Sequence, residues 1–406
     1  MTETSLSSIC EYRKGKVDVS SLDEITYIST ENMLPNKGGV TAATALPKIN
    51  QTQAFFKGDV LISNIRPYFK KIWQASFDGG CSNDVLVFQS KDETDAGFLY
   101  YVLSDDSFFD YATATSKGTK MPRGDKTSIM QYHAPYFPIE TQRTISRILR
   151  SLDDKIAINT RINDNLLQQA QSLFTSWFVD YDVFDEPFCE SPIGALIPES
   201  LQMVQVISLQ PILETGKRPK GGASSFGIPS IGAENVKKLG EVNLSSNKFI
   251  PFEFASKLKT GKVNGYELML YKDGGKPGTF TPHFSMFGEG FPYDEFYINE
   301  HVFKLDFGNR GFNEFAYFYF QTDYPYNWLA NNGGKAAIPG INRQDVNSIW
   351  IYSPEHPIVK RYCEWVQPIF TTILSNCAQN VKLADIRNAL LPRLMSGELD
   401  VSALEL

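Results

Sequence analysis

The residues of this chain that could do chemistry lie in basic, glycine-punctuated segments. "NIRPYFKKIW" holds Arg66, Tyr68, Lys70 and Lys71, and "TSKGTKMPRGDK" holds Lys117, Thr119, Lys120 and Arg123. Further along, "ETGKRPKGG" holds Lys217, Arg218 and Lys220, "YKDGGKPGTF" holds Lys272 and Lys276, and "NNGGKAAIPGINR" holds Lys335 and Arg343. Glycine lets a backbone approach a phosphate closely, and Lys or Arg supplies the charge. Arg can also read guanine in the major groove, and Asn or Gln can read adenine. These residues are the candidate DNA-binding set. Any one such loop is equally well a solvated turn; the argument for a binding face is that "KGTK" and "GGK" recur at equivalent places in the two halves of the chain.

Enzymatic signatures are missing. There is no G-x-x-x-x-G-K-[ST] phosphate loop and no G-x-S-x-G elbow. "GEGFPY" at Gly288 lacks a third glycine, and carboxylate pairs such as Asp153/Asp154 and Asp294/Glu295 are the solvated acids of helices and turns. The histidines His133, His283, His301 and His356 are dispersed without metal-ligand spacing, so no metal site is expected. Cys10, Cys81, Cys189, Cys363 and Cys377 form no C-x-x-C pair, which points to a reduced, cytoplasmic setting. The N-terminus lacks an apolar signal core, and no apolar run is long enough for a membrane span. A net charge of −7 disfavours a free-standing nucleic-acid binder but leaves room for local basic surface.

The elements that must position these loops repeat. Asn376 follows Asn159, and Asn380 follows Asn163, by the same 217 residues. That offset also carries Leu149 to Val366, Leu152 to Ile369, Ile156 to Ile373, Leu166 to Leu383 and Leu173 to Leu390. Upstream, "YFP" answers "YSP", Gly118 answers Gly334, Gly124 answers Gly340, "SNDVLVF" answers "INEHVFK", "KGDVLI" answers "NGYELM" and "STENM" answers "GAENV". The chain therefore reads as two copies of one unit, each a globular part followed by a long helix. Short apolar runs bounded by Gly, Pro and Asn predict strands, and "AGFLYYVLSDDSFFDYAT" and "FNEFAYFYFQTDYPYNWLA" each predict a short helix. The predicted class is α+β: two mixed domains with largely antiparallel sheets, joined by two long helices that form an antiparallel coiled coil.

Each long helix carries an apolar seam interrupted by two amides. Antiparallel pairing about an axis near Arg161 and Ala378 sets Asn159 against Asn380 and Asn163 against Asn376, which would fix the register of the coil. It also sets Leu152 against Arg387. Pro368 should kink the second helix or begin a fresh segment. The expected division is residues 1–139 for a first globular domain, 140–182 for the central helix and 183–203 for a linker; then 204–353 for a second domain, 354–397 for the C-terminal helix and 398–406 for a tail.

"PIETQRTISRILRSLDDKI", "LLQQAQSLFTSWFVDYDVF", "ETGKRPKGG…GIPSIGAENV" and "LLPRLMSGELDV" make the chain similar to the specificity (S) subunits of type I restriction–modification systems. The resemblance runs over nearly the whole chain. It implies two target-recognition domains that each read half of a split DNA sequence, and helices that act as a ruler for the gap. It implies double-stranded DNA, two methyltransferase subunits and restriction subunits as partners, with S-adenosylmethionine and ATP brought by those partners. This chain would then hold no cofactor and catalyse nothing. The competing readings are a coiled-coil adaptor whose domains bind proteins, which the acidic charge favours, and a nuclease, which would need a carboxylate cluster.

Overall fold

A computed structural model describes residues 2–241, 248–334 and 338–401. The chain divides into two compact units, one of Met1–Lys155 with Leu383–Leu406 and one of Ile156–Lys382. These boundaries cut through both long helices rather than through the linker, because each half-helix packs into the globular part beside it.

In the first unit, alternation and β-branched residues place Cys10–Tyr12, Val85–Ser90, Val60–Ser63 and Ile72–Gln74 in one antiparallel sheet, in that order. A second sheet runs Lys16–Asp18, Gln51–Phe55, Gly79–Cys81 and Tyr27–Ile28, its last pair parallel. The N-terminal residues are no loose arm, since Thr2–Ser5 pairs with His133–Tyr136 just before the long helix.

The second unit repeats this plan. Ile212–Thr215, Val302–Asp306, Leu268–Tyr271 and Phe284–Met286 form the antiparallel sheet. Lys248–Ile250, Ile228–Ile231 and Tyr297–Ile298 form the second, again ending in a parallel pair. Met203–Gln205 pairs with Trp350–Tyr352 ahead of the second long helix. Buried polar residues hold the same turns twice. Asp59 accepts from the Phe56 amide where Glu267 accepts from Asn264 and Gly265. Asn32 accepts from the Ser29 amide where Asn235 accepts from Gly232.

Where one short helix per unit was expected there are two, Ala96–Ser104 and Asp106–Ala114 in the first unit and Arg310–Tyr319 and Asp323–Gly333 in the second. Asp105 explains the division of the first pair: its extended backbone ends one helix while its carboxylate caps the Ser107 amide of the next. Gly97 and Gly311 face Ser146 and Cys363 of the long helices, residues that are themselves 217 apart. A Cβ on Gly311 would lie 2.8 Å from the Cys363 carbonyl, so glycine is what lets these helices close. The linker contains a hairpin, Phe188–Glu190 with Leu196–Pro198.

The long helices are Ile139–Phe178 and Pro357–Met395. Pro368 does not divide the second. It lies on the exposed face, where water can serve the Glu364 carbonyl that loses its donor, while Tyr362, Val366, Phe370 and Ile373 lock the opposite face into the core. In the second unit Asn159, 1% exposed, donates to Asn380 Oδ1 at 2.9 Å and to Gln379 Oε1 at 2.7 Å. Asn376 donates to Asn163 Oδ1 at 2.8 Å, and Asn163 to the Ile373 carbonyl at 3.2 Å. In the first unit Arg387 bonds Asp153 at 2.6 Å, a partner one residue beyond the Leu152 that the alignment offered it.

The amides make a measurable prediction. Asn159→Leu alone strands the Asn380 carbonyl in the seam and should cost about 1–3 kcal/mol in urea unfolding. Asn159→Leu with Asn380→Leu should recover most of that loss, since two apolar groups replace two amides.

Candidate nucleic-acid interface

In the first unit two of the basic loops become one surface. The strand Val60–Ser63 runs out into a turn in which Arg66 and Lys70 flank the short helix Pro67–Phe69, both with left-handed backbone. The Arg66 amide donates to the Pro122 carbonyl at 2.8 Å, and the Gly124 amide to the Asn64 carbonyl at 3.1 Å. Lys117 and Arg123 exchange both backbone hydrogen bonds, closing a hairpin with Lys120 at its exposed tip. Arg66, Tyr68, Lys117, Thr119, Lys120 and Arg123 therefore come from one joined loop pair.

The second unit builds the same joint. The Gly274 amide donates to the Pro339 carbonyl at 2.9 Å, and the Ile341 amide to the Lys272 carbonyl at 2.8 Å. These bonds equate Gly340 with Arg123, one residue away from the Gly124 that the sequence comparison paired with it. They also equate Gly274 with Arg66. Lys335 lies outside the described residues. Lys217, Arg218 and Lys220 sit on the separate Gly216–Gly222 loop, exposed, with Arg218 3.8 Å from Glu300.

Local carboxylates decide how much of this charge is free. Lys70 lies 3.0 Å from Asp106, which Lys37 also reaches at 2.8 Å, and the two ammonium groups hold the Asp106 carboxyl below its ordinary value despite burial. Lys117 pairs with Asp125, bringing that carboxyl down to about 2, and Arg123 lies 3.2 Å from Asp84. Lys71 donates to the Thr30 carbonyl at 2.6 Å. Lys272 is tied to Asp273 at 2.6 Å and to the Glu300 carbonyl at 3.0 Å, and Arg343 to the Leu213 carbonyl, so both act within the fold. Lys120 and Lys276 are exposed and make no ion pair among the described residues.

Residues 1–168 match the family described as the type I restriction modification DNA specificity domain. The MjaIX specificity subunit of a type I restriction enzyme from Methanocaldococcus jannaschii is 25% identical over 318 residues, which span 77% of this chain and 71% of that protein. The HindI specificity subunit from Haemophilus influenzae is 24% identical over 474 residues, spanning 98% of this chain and 99% of the relative. The first 168 residues thus resemble a type I specificity domain, and the whole chain is similar to type I specificity subunits. A crystal structure of the type I S subunit from M. genitalium has the same fold, with a TM-score of 0.55 and 14% identity over 97% of this chain and 96% of that one.

In the first unit the acids Asp84, Asp106 and Asp125 are as much part of the loop surface as the cations, and sequence reading missed them. Asp84 and Asp106 lie 39 and 36 residues from Arg123 and Lys70, so no local spacing announces those pairs. Among the described residues no group of His, Cys, Asp and Glu side chains is arranged to hold a metal ion, and no helix is long and apolar enough to cross a membrane.

Proposed function

We propose that this chain reads a split DNA sequence for a type I restriction–modification complex, one half-site for each unit. The long helices set the gap. Two methyltransferase subunits that bring S-adenosylmethionine, and ATP-driven restriction subunits, then act where this non-catalytic chain places them. The observation that carries the reading is the joined loop pair built twice, with Arg66–Pro122 and Asn64–Gly124 in one unit matched by Gly274–Pro339 and Lys272–Ile341 in the other. Such duplication suits two separate segments of duplex. Phosphate contacts from Lys120, Lys217, Lys220 and Lys276 would position the units, and base contacts would specify the sequence.

A methylation map of cells carrying this gene with its neighbours tests the reading. The expected result is one asymmetric motif with two short specified parts around an unspecified gap. A single continuous motif, or methylation unchanged by deletion of this gene, would refute it.

A further inference from the structure

We infer that Arg66 reads a guanine in the half-site bound by the first unit; the inference rests on the proposed function and names a base-reading residue within it. Three features coincide at Arg66 and at no other cation of the loop pair. Its neighbours Lys70, Lys117 and Arg123 are matched to Asp106, Asp125 and Asp84, whereas its guanidinium makes no hydrogen bond or ion pair among the described residues. Its Nε is buried and unpartnered, a placement that folding alone does not reward. Its backbone, like that of Lys70, is left-handed, φ 53°, and the hydrogen-bond-equivalent residue of the second unit is a glycine, Gly274, also at positive φ, 133°. Glycine takes such a conformation freely and arginine does not. The first unit thus keeps a side chain where the fold is better served by none.

The geometry favours a base edge over a phosphate. A phosphate contact needs charge and tolerates a flexible stem, as on exposed Lys120. Arg66 is fixed on both sides, by its amide to Pro122 at 2.8 Å and by its carbonyl, which accepts from the Phe69 amide at 3.0 Å. The Phe69 ring centroid lies 5.9 Å from the guanidinium carbon. A planar fork carried on a fixed backbone suits the paired O6 and N7 acceptors of guanine in the major groove.

The test uses the chain assembled with its methyltransferase subunits and a randomised duplex library. The parent complex should prefer guanine at one position of one half-site by about 5- to 150-fold, the discrimination of one bidentate contact. Arg66→Gly should flatten that position alone and leave the other half-site untouched, and its melting temperature should stay near the parent's because glycine suits this backbone. Arg66→Lys keeps the charge and should still lose most of the preference, so a fold defect in one variant leaves the other decisive. The inference is overturned if both variants keep the guanine, or if both weaken all sequences equally, as loss of a phosphate contact would. Selection of no split sequence by the parent complex would instead sink the proposed function, and this assignment with it.

Discussion

Deleting residues 152–158 together with 381–387 should shorten the selected gap by about three base pairs. One heptad spans about 10 Å of helix, and duplex DNA rises about 3.4 Å per base pair along each strand. Both amide pairs survive this deletion, so Asn159–Asn380 and Asn163–Asn376 still set the register of the remaining coil. The half-site sequences should be unchanged, because the joined loops lie far along the chain from the excised segments. Affinity for the parent target should fall toward non-specific binding, by about a thousandfold or more. Selection from a library in which only the gap varies reads the result directly. An unaltered gap preference would exclude the helices as the spacer.

Raising pH should destabilise the second unit, and Glu314 should be the cause. Glu314 is fully buried on the helix Arg310–Tyr319, with Oε1 3.2 Å from Arg310 Nε and Oε2 without a hydrogen-bond partner. Burial pushes its carboxyl up to about 8, against the opposing pull of Arg310. Arg310 is itself engaged, its guanidinium 3.3 Å from the centre of the Tyr266 ring and bonded to Thr371. Because the folded carboxyl holds its proton more tightly than the unfolded one, the folded state binds more protons between the two values. Stability is therefore greatest below the unfolded value of 4.5 and is lost as pH rises toward about 8. Glu314→Gln keeps the shape of the neutral acid and removes the titration. It should match the parent near pH 4 and exceed it by on the order of 3 kcal/mol at pH 7. Parallel melting curves across that range would show that Glu314 carries no such linkage.

Much of the scaffold could be read from the sequence because its signals are periodic or repeated. The constant offset of 217 residues marks the repeat, and antiparallel pairing of the two helices sets opposite one another the same amides that the hydrogen bonds join. Apolar runs such as "DVLVF" and "EHVFKLD" lie in strands of the two matching sheets. What escaped depends on contacts between distant residues. Pro368 is tolerated because it faces water, and a linear pattern does not say which way a seam will turn by the width of one residue. The one-residue shift at Gly340 follows from a bond to Lys272, seen only when the loops meet. The charges were the hardest to judge. Basic composition identified the loops, but Asp106, Asp125 and Asp84 decide which of the cations remain uncommitted.

The membership of the units has a consequence for biosynthesis. Residues 156–382 are contiguous and hold everything the second unit needs, whereas the core of the first joins Ile145 and Leu149 to Leu391, Leu394, Met395 and Val401. The face of the first unit's core that Leu391, Leu394, Met395 and Val401 cover therefore stays open until the end of the chain is made, after the whole of the second unit. Through that interval the first unit carries an uncovered apolar strip, the kind of surface that is aggregation-prone while a chain is still being made.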